Sequence, residues 1–326
     1  MATLTDDLAS EYRTLKQGCG LIDRSERGKL ALTGTERKSF LAGQVTNDIE
    51  GLAPGTGCYA AFLTHKGKML GDLRVLDAED GDDVPELLLD TNRSTLQGLF
   101  DLVRRFKIGY DVELHKRTVQ RGLLSLAGPA ARAIAGAEAV PVDEHAHRPG
   151  EIAGHAVRLI ATDVGIDVLC EADATDDVRA ALIAAGATPV SEAAAEILRV
   201  ESGRPRYGVD VDDATIPQEA GLNARAVSFT KGCYVGQETV ARLFYRGKPN
   251  RHLRGLKLSE PVAAGAELRR GEKVVGRLTS SLESPTFGPI ALALVRREAA
   301  VGDTLEVAGG AATAQVVELP FTAVSD

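Results

Sequence analysis

Thr230-Lys231-Gly232-Cys233-Tyr234-Val235-Gly236-Gln237-Glu238-Thr239-Val240-Ala241-Arg242 is the stretch on which the reading of this chain turns. With Thr230 as a helix cap, Cys233 falls in the first turn, where unpaired N–H groups and the helix dipole favour an anion. Lys231 adds a positive charge two residues away, and both effects stabilise a thiolate, a nucleophile or metal ligand. Gly232 and Gly236 flank the sulfur with minimal bulk and permit close approach of a ligand or a partner backbone. The same residues also suit an inert buried thiol with two glycines kept for packing.

Working outward, Leu198-Arg-Val-Glu201-Ser-Gly-Arg204-Pro-Arg206-Tyr-Gly208 places Glu201 at the end of an amphipathic helix, facing a loop rich in Arg and Gly. A carboxylate there can accept parallel N–H donors from a planar heterocycle such as a pterin. A salt bridge to Arg204 or Arg206 is the plainer alternative. Asp72, in Met69-Leu-Gly-Asp72-Leu-Arg74-Val75, lies among apolar residues of a strand, so it is aimed into a site or forms a surface pair with Arg74. Gln44, Asn47 and Asp48 form a polar cluster after a helix, which also reads as turn chemistry. Downstream, Arg242, Arg246, Lys248, Arg251, Arg254 and Lys257 form a basic run. It reads as solvated surface, or as a seat for the carboxylates of a polyglutamate tail, an iron–sulfur partner or an RNA phosphate. His145 and His147, with Asp143, Glu144 and His155, have no established ligand spacing, and no metal site is assigned to them.

The periodicities predict α+β architecture followed by an all-β region. Leu8, Tyr12 and Leu15 repeat at helical spacing behind a Thr5 cap. Residues 58–64 and 69–76 form strands joined by the turn His65-Lys-Gly-Lys68, with further strands over 29–33, 86–90 and 110–115. Helices are expected over 35–41, 92–106, 130–135, 175–185 and 192–200, a loop over 140–154, and an ordered loop over 207–215. Short strands over 253–258, 274–280, 290–295, 304–307 and 314–319 predict a small barrel or sandwich.

At 326 residues the chain is long enough for two or three domains, and 44% hydrophobic with 26% charged residues is ordinary for a globular protein. A net charge of -8 argues against general affinity for nucleic acid or anionic membranes. No apolar run reaches the ~18 residues of a membrane helix, and no signal peptide is evident, so a cytoplasmic protein is expected. Cys19, Cys58, Cys170 and Cys233 form no C-x-x-C pair and read as reduced thiols.

Lys231-Gly-Cys-Tyr-Val-Gly-Gln-Glu238 resembles the signature of the YgfZ-type folate-binding proteins, relatives of the glycine-cleavage aminomethyltransferase (T-protein) and of iron–sulfur assembly factors. Gly20-Leu-Ile-Asp-Arg-Ser25, Gln44 to Asp48, Gly67 to Val75, Glu201-Ser-Gly203, Pro217 to Leu222, and Thr279 to Pro285 extend the resemblance over nearly the whole chain. It implies three domains around a central folate hole: 1–118 with 196–249, 119–195, and a C-terminal barrel over 250–326. Tetrahydrofolate, or a one-carbon-substituted form, is the implied cofactor. Glu201, Asp72, Asn47, Arg204 and Tyr234 would bind it, and Cys233, Lys231 and Asp72 would carry the chemistry. The implied function is an accessory role in iron–sulfur cluster assembly or repair, indirectly supporting tRNA modification, with iron–sulfur enzymes or assembly proteins as partners. Direct nucleic-acid binding is not expected. The alternative is a folate-dependent aminomethyl or one-carbon transferase. T-proteins have no cysteine at position 233, and they usually carry a second acid where this chain has Gly71, which turns the expectation away from glycine cleavage.

Overall fold

In the computed structural model, which describes residues 5–79 and 85–322, the first helix starts as its sequence dictates. The Thr5 hydroxyl accepts from the Leu8 N–H at 3.2 Å. Helix α1 (Asp6–Gln17) has Asp6 and Asp7 in its first turn and Lys16 in its last, the order that complements the helix dipole. The chain then divides into two units. The larger comprises Arg13–Val190 and Ala224–Gln237; the smaller takes the chain up to Tyr12, Ser191–Asn223 and everything from Glu238.

The larger unit is built on two sheets. Its elements in order are β1 (Gly20–Asp23), β2 (Gly28–Thr33), α2 (Arg37–Gln44), β3 (Gly57–Leu63), β4 (Met69–Asp77), β5 (Leu87–Thr91), α3 (Leu96–Phe106), β6 (Glu113–Lys116) and β7 (Arg121–Ala127). There follow α4 (Ala131–Ile134), β8 (His147–Ile152), β9 (His155–Ala161), β10 (Gly165–Glu171), α5 (Thr175–Ala184) and β11 (Thr188–Pro189). One sheet has the order β3-β4-β5-β2-β6, the other β11-β1-β7-β10-β9-β8. Leu30, Leu32, Phe40, Leu41, Phe62, Leu73, Val75 and Leu99 form the core between the first sheet and its helices. Leu124, Leu126, Ile166, Val168, Val178 and Leu182 do the same for the second. A third cluster, with Leu76, Leu88, Leu123, Ile160 and Leu169, lies between the facing sheets.

β4 is therefore covered on both sides, which is why its residues from Gly71 to Asp77 are all buried. Residues 72, 74 and 76 share one face by the two-residue period of a strand. Leu76 serves the apolar cluster between the sheets. Arg74 bridges the sheets by pairing with Asp90 on β5 at 2.9 Å and Asp167 on β10 at 2.7 Å. The surface pair between Asp72 and Arg74 does not form.

The region 140–154, expected to be loop throughout, ends in strand β8. Pro149 and Gly150 hid it, but β8 is the edge of its sheet, pairing only with β9, and an edge strand tolerates a proline. β9 and β10, which carry no turn signal of the kind that marked the β3–β4 hairpin, had no sequence assignment.

The smaller unit holds α6 (Glu192–Glu201), capped by Ser191 accepting from Ala194 N–H, and a closed six-stranded barrel. Helices α7 (Asn223–Ala226) and α8 (Gln237–Arg246) precede it. The barrel strands are β12 (Arg251–Leu258), β13 (Glu267–Arg270), β14 (Lys273–Ser284), β15 (Gly288–Arg296), β16 (Thr304–Val307) and β17 (Thr313–Val317). Leu256, Leu268, Leu278, Leu305 and Val316 fill the interior together with the small Ala291, Ala293 and Ala314. Five of these strands follow the expected short runs; β13 did not show, because Glu-Leu-Arg-Arg buries one residue.

Candidate functional site

Asp72 is a buried carboxylate with one oxygen committed and one open. Tyr59, on the neighbouring strand β3, donates its hydroxyl to Asp72 Oδ2 at 2.5 Å. Oδ1 has no hydrogen-bond partner among the described residues. Burial raises the carboxyl above its usual range, against the lowering pull of the Tyr59 hydrogen bond, Arg27 and Arg225. The Tyr59 phenol is itself held well above its ordinary value by burial and by Asp72, so it acts as a donor. Arg225 stacks over the Tyr59 ring at 4.3 Å and holds Glu144 at 2.6 Å. Behind Asp72, Arg27 pairs with Asp90 at 2.8 Å, continuing the buried ion network of Arg74 and Asp167.

Cys233 is exposed, but it does not sit in a helical first turn. Helix α8 begins only at Gln237, because Gly236 has φ +85°, a left-handed conformation that ends any helix run through it. Gly236 is also pressed against the β3–β4 turn: a Cβ there would lie 2.5 Å from the Thr64 carbonyl oxygen. Changing Gly236 to Ala should therefore cost about 2–3 kcal/mol of stability in urea unfolding, from backbone strain plus the clash.

Lys231 spends its three N–H donors on backbone. Nζ donates to the carbonyls of Ala42, Val45 (2.9 Å) and Asn47 (3.0 Å), the orphan groups at and beyond the end of α2. Burial pulls its pKa down to about 8, which leaves it protonated at neutral pH. Its ammonium also lies 5.0 Å from the centre of the Tyr234 ring. Tyr234 is buried, and burial pushes its phenol up to about 12. Asn47 is occupied as well: Nδ2 donates to Tyr59 O (2.8 Å) and Arg225 O (3.3 Å), while Oδ1 accepts from Asp48 N–H. Lys231 and Asn47 thus tie the segment that carries Cys233 to the end of α2 and to β3.

In the smaller unit, Glu201 is buried and makes no pair with Arg206, whose guanidinium goes to Glu196 at 2.6 Å. The Glu201 carboxylate accepts from Tyr12 at both oxygens (2.9 and 3.1 Å), and Oε1 also accepts from Ser284 at 2.5 Å. The single Tyr12 hydrogen is shared between the two oxygens, so with Ser284 on Oε1 each oxygen keeps acceptor capacity, Oε2 the more of the two. Replacing Glu201 by Ala should cost about 2–3 kcal/mol in urea unfolding, since Tyr12 and Ser284 lose a buried charged acceptor. Arg204 contributes its carbonyl to Arg199.

The histidine group is dispersed. His147 meets Arg158 at 2.9 Å, His155 meets Asp177 at 3.0 Å, and Glu144 belongs to Arg225. No cluster of three metal-binding side chains occurs among the described residues. Within the basic run, Arg251 is bidentate on Glu219 (3.1 and 2.9 Å), and Arg242, Arg246 and Lys248 are exposed. Tyr59, Arg225 and Arg27 escaped the sequence reading. Nothing in their spacing marks them, because they meet Asp72 only through sheet pairing and the return of residues 224–237.

Two family models cover the chain: the GCVT N-terminal domain matches residues 2–231, and the glycine cleavage T-protein C-terminal barrel domain matches residues 251–322. A putative chloroplastic transferase of Arabidopsis thaliana is 30% identical over 94% of this chain and 72% of its own length. An aminomethyltransferase of Synechococcus sp. (strain RCC307) is 31% identical over 98% of this chain and 92% of its own. Among solved structures, aminomethyltransferase T of the Bartonella henselae glycine cleavage system superposes with a TM-score of 0.85 at 23% identity, covering 98% of this chain and 91% of that one. The chain thus has the aminomethyltransferase fold.

Proposed function

Since this chain belongs to the glycine cleavage T-protein family, we propose that it binds a reduced folate of the tetrahydrofolate class at Asp72 and supports iron–sulfur proteins through Cys233. The observation that carries the reading is the half-committed Asp72 carboxylate, with Oδ2 fixed by Tyr59 and Oδ1 open. A pterin presents ring N–H groups and an aromatic face, and a carboxylate beside an Arg-stacked tyrosine suits such a ligand. Bound there, tetrahydrofolate would supply a nitrogen carrier for one-carbon units. Asp72 would accept an N–H or hold a proton; Tyr59 would keep the carboxylate in one rotamer, and Arg27 and Arg225 would temper its charge.

The case against aminomethyl transfer from a lipoyl carrier rests on two departures. Cys233 is exposed, so its sulfur is reachable by a partner and is not a packed core thiol. Gly71 stands where T-proteins carry a second acid, and a Cβ there would lie 2.5 Å from Phe62 Cζ, so an acid at this position would require the Phe62 ring to move. The near full-length similarity to an aminomethyltransferase favours the transferase as a second reading. Two assays separate them. Given aminomethyl-loaded carrier protein, the chain should form no methylenetetrahydrofolate, and in cells lacking their own counterpart it should restore the activity of an iron–sulfur enzyme. Robust transfer without restoration would establish the second reading instead.

A further inference from the structure

Residues 224–237 return to the first sheet as a strap whose apex carries Cys233. The strap is tied to the end of α2 along its length. Ser228 N–H donates to Thr46 O (3.0 Å), Thr46 Oγ1 donates to Ala226 O (2.5 Å), and Val235 N–H donates to Gly43 O (3.3 Å). Between these ties stands Lys231, whose ammonium gathers the carbonyls of Ala42, Val45 and Asn47. Asn47 is the junction: its carbonyl receives Lys231, and its amide donates to Tyr59 O at 2.8 Å. Tyr59 in turn donates its hydroxyl to Asp72. A path of three hydrogen bonds, joined through the covalent frames of Asn47 and Tyr59, thus runs from the thiol-bearing strap to the open carboxylate, entirely within the larger unit.

We propose that Lys231 is a positioning residue that couples Cys233 to Asp72, so that a ligand held at Asp72 slows the thiol. This rests on the folate reading above only for the ligand's identity. A donor on Asp72 Oδ1 holds the carboxylate, and with it the Tyr59 hydroxyl, in one arrangement. Asn47 passes that order to the carbonyls that Lys231 clamps, and the strap samples fewer of the geometries in which an exposed sulfur attacks. Coupling of this kind is reciprocal: whatever factor the ligand imposes on binding at the strap, the strap imposes on the ligand. A lysine serves here where a charge-neutral side chain cannot, because three carbonyls converge on one point.

The test has an arm with folate and an arm without it. In the first, the iodoacetamide rate at Cys233 is followed by mass spectrometry with and without saturating tetrahydrofolate, alongside calorimetry of binding. The wild type should slow about five-fold on binding, and Lys231→Met and Asn47→Ala, each saturated according to its own calorimetric affinity, should show less than about a two-fold change. In the second arm Tyr59→Phe, which removes only the hydroxyl on Asp72, should speed labelling about five-fold in the wild-type background and leave it nearly unchanged in the Lys231→Met background. Should Lys231→Met fail to fold, Asn47→Ala carries the same cycle. Equal effects of Tyr59→Phe in both backgrounds would overturn the coupling, whether or not folate binds. Absence of folate binding with a non-zero cycle would remove the ligand and keep the coupling.

Discussion

Asp72→Asn should lower reduced-folate affinity at least about ten-fold, the loss of one charge-assisted hydrogen bond, while making the fold more resistant to urea at neutral pH. The two effects have one cause. The folded-state pKa of Asp72 is raised, chiefly by burial. A group of that kind contributes stability that is fully present below its unfolded pKa and lost as pH rises through the folded one. At pH 7 the wild type therefore carries the cost of burying this carboxyl. Asparagine keeps an acceptor for the Tyr59 hydroxyl and carries no such cost. Urea midpoints of the two proteins should draw apart as pH rises from about 4 to 7, the variant lying above. A variant less stable than wild type throughout would make Asp72 a structural partner of Arg27 and Arg225.

Cys233→Ala should abolish support of an iron–sulfur enzyme and leave urea unfolding within about 0.5 kcal/mol of wild type, as for an exposed side chain. The selectivity of the thiol is set by its surroundings. Burial raises Cys19 to about 11 and Cys58 to about 12, and raises Cys170 as well. Only Cys233 among the four is exposed. Under limiting iodoacetamide at pH 7.5, Cys233 should take up label at least about ten times faster than any other cysteine, since buried high-pKa thiols are poorly ionised and poorly reached. Full complementation by the Ala variant would reduce the cysteine to a surface residue.

Much of this was legible in the chain because periodicity and capping act locally. The Thr5 cap, the β3–β4 hairpin with Gly67 at its turn, and most barrel strands follow from neighbouring residues alone. Edge strand β8 was not legible, since its proline and glycine signal a loop wherever pairing on one side is unknown. The helix expected from Thr230 failed for a long-range reason. Gly236 is needed where the strap passes the Thr64 carbonyl, and its positive φ moves the helix start to Gln237.

The candidate site divides in the same way. Asp72 and Cys233 could be picked out as unusual residues in apolar or glycine-flanked contexts. Their partners could not, because Tyr59 and Arg225 are 166 positions apart by number and meet through tertiary structure. Lys231 shows the limit of adjacency most clearly. Two residues from the sulfur in sequence, its charge is directed to the end of α2, some 190 positions back.

The central claim, a reduced folate seated on Asp72, is tested most directly by equilibrium dialysis of tetrahydrofolate, under anaerobic conditions, against the wild-type chain and Asp72→Asn in parallel. Saturable one-to-one retention by the wild type, with at least about ten-fold weaker retention by the variant, is the predicted result. Equal retention by both proteins, or none by the folded wild type, would contradict it.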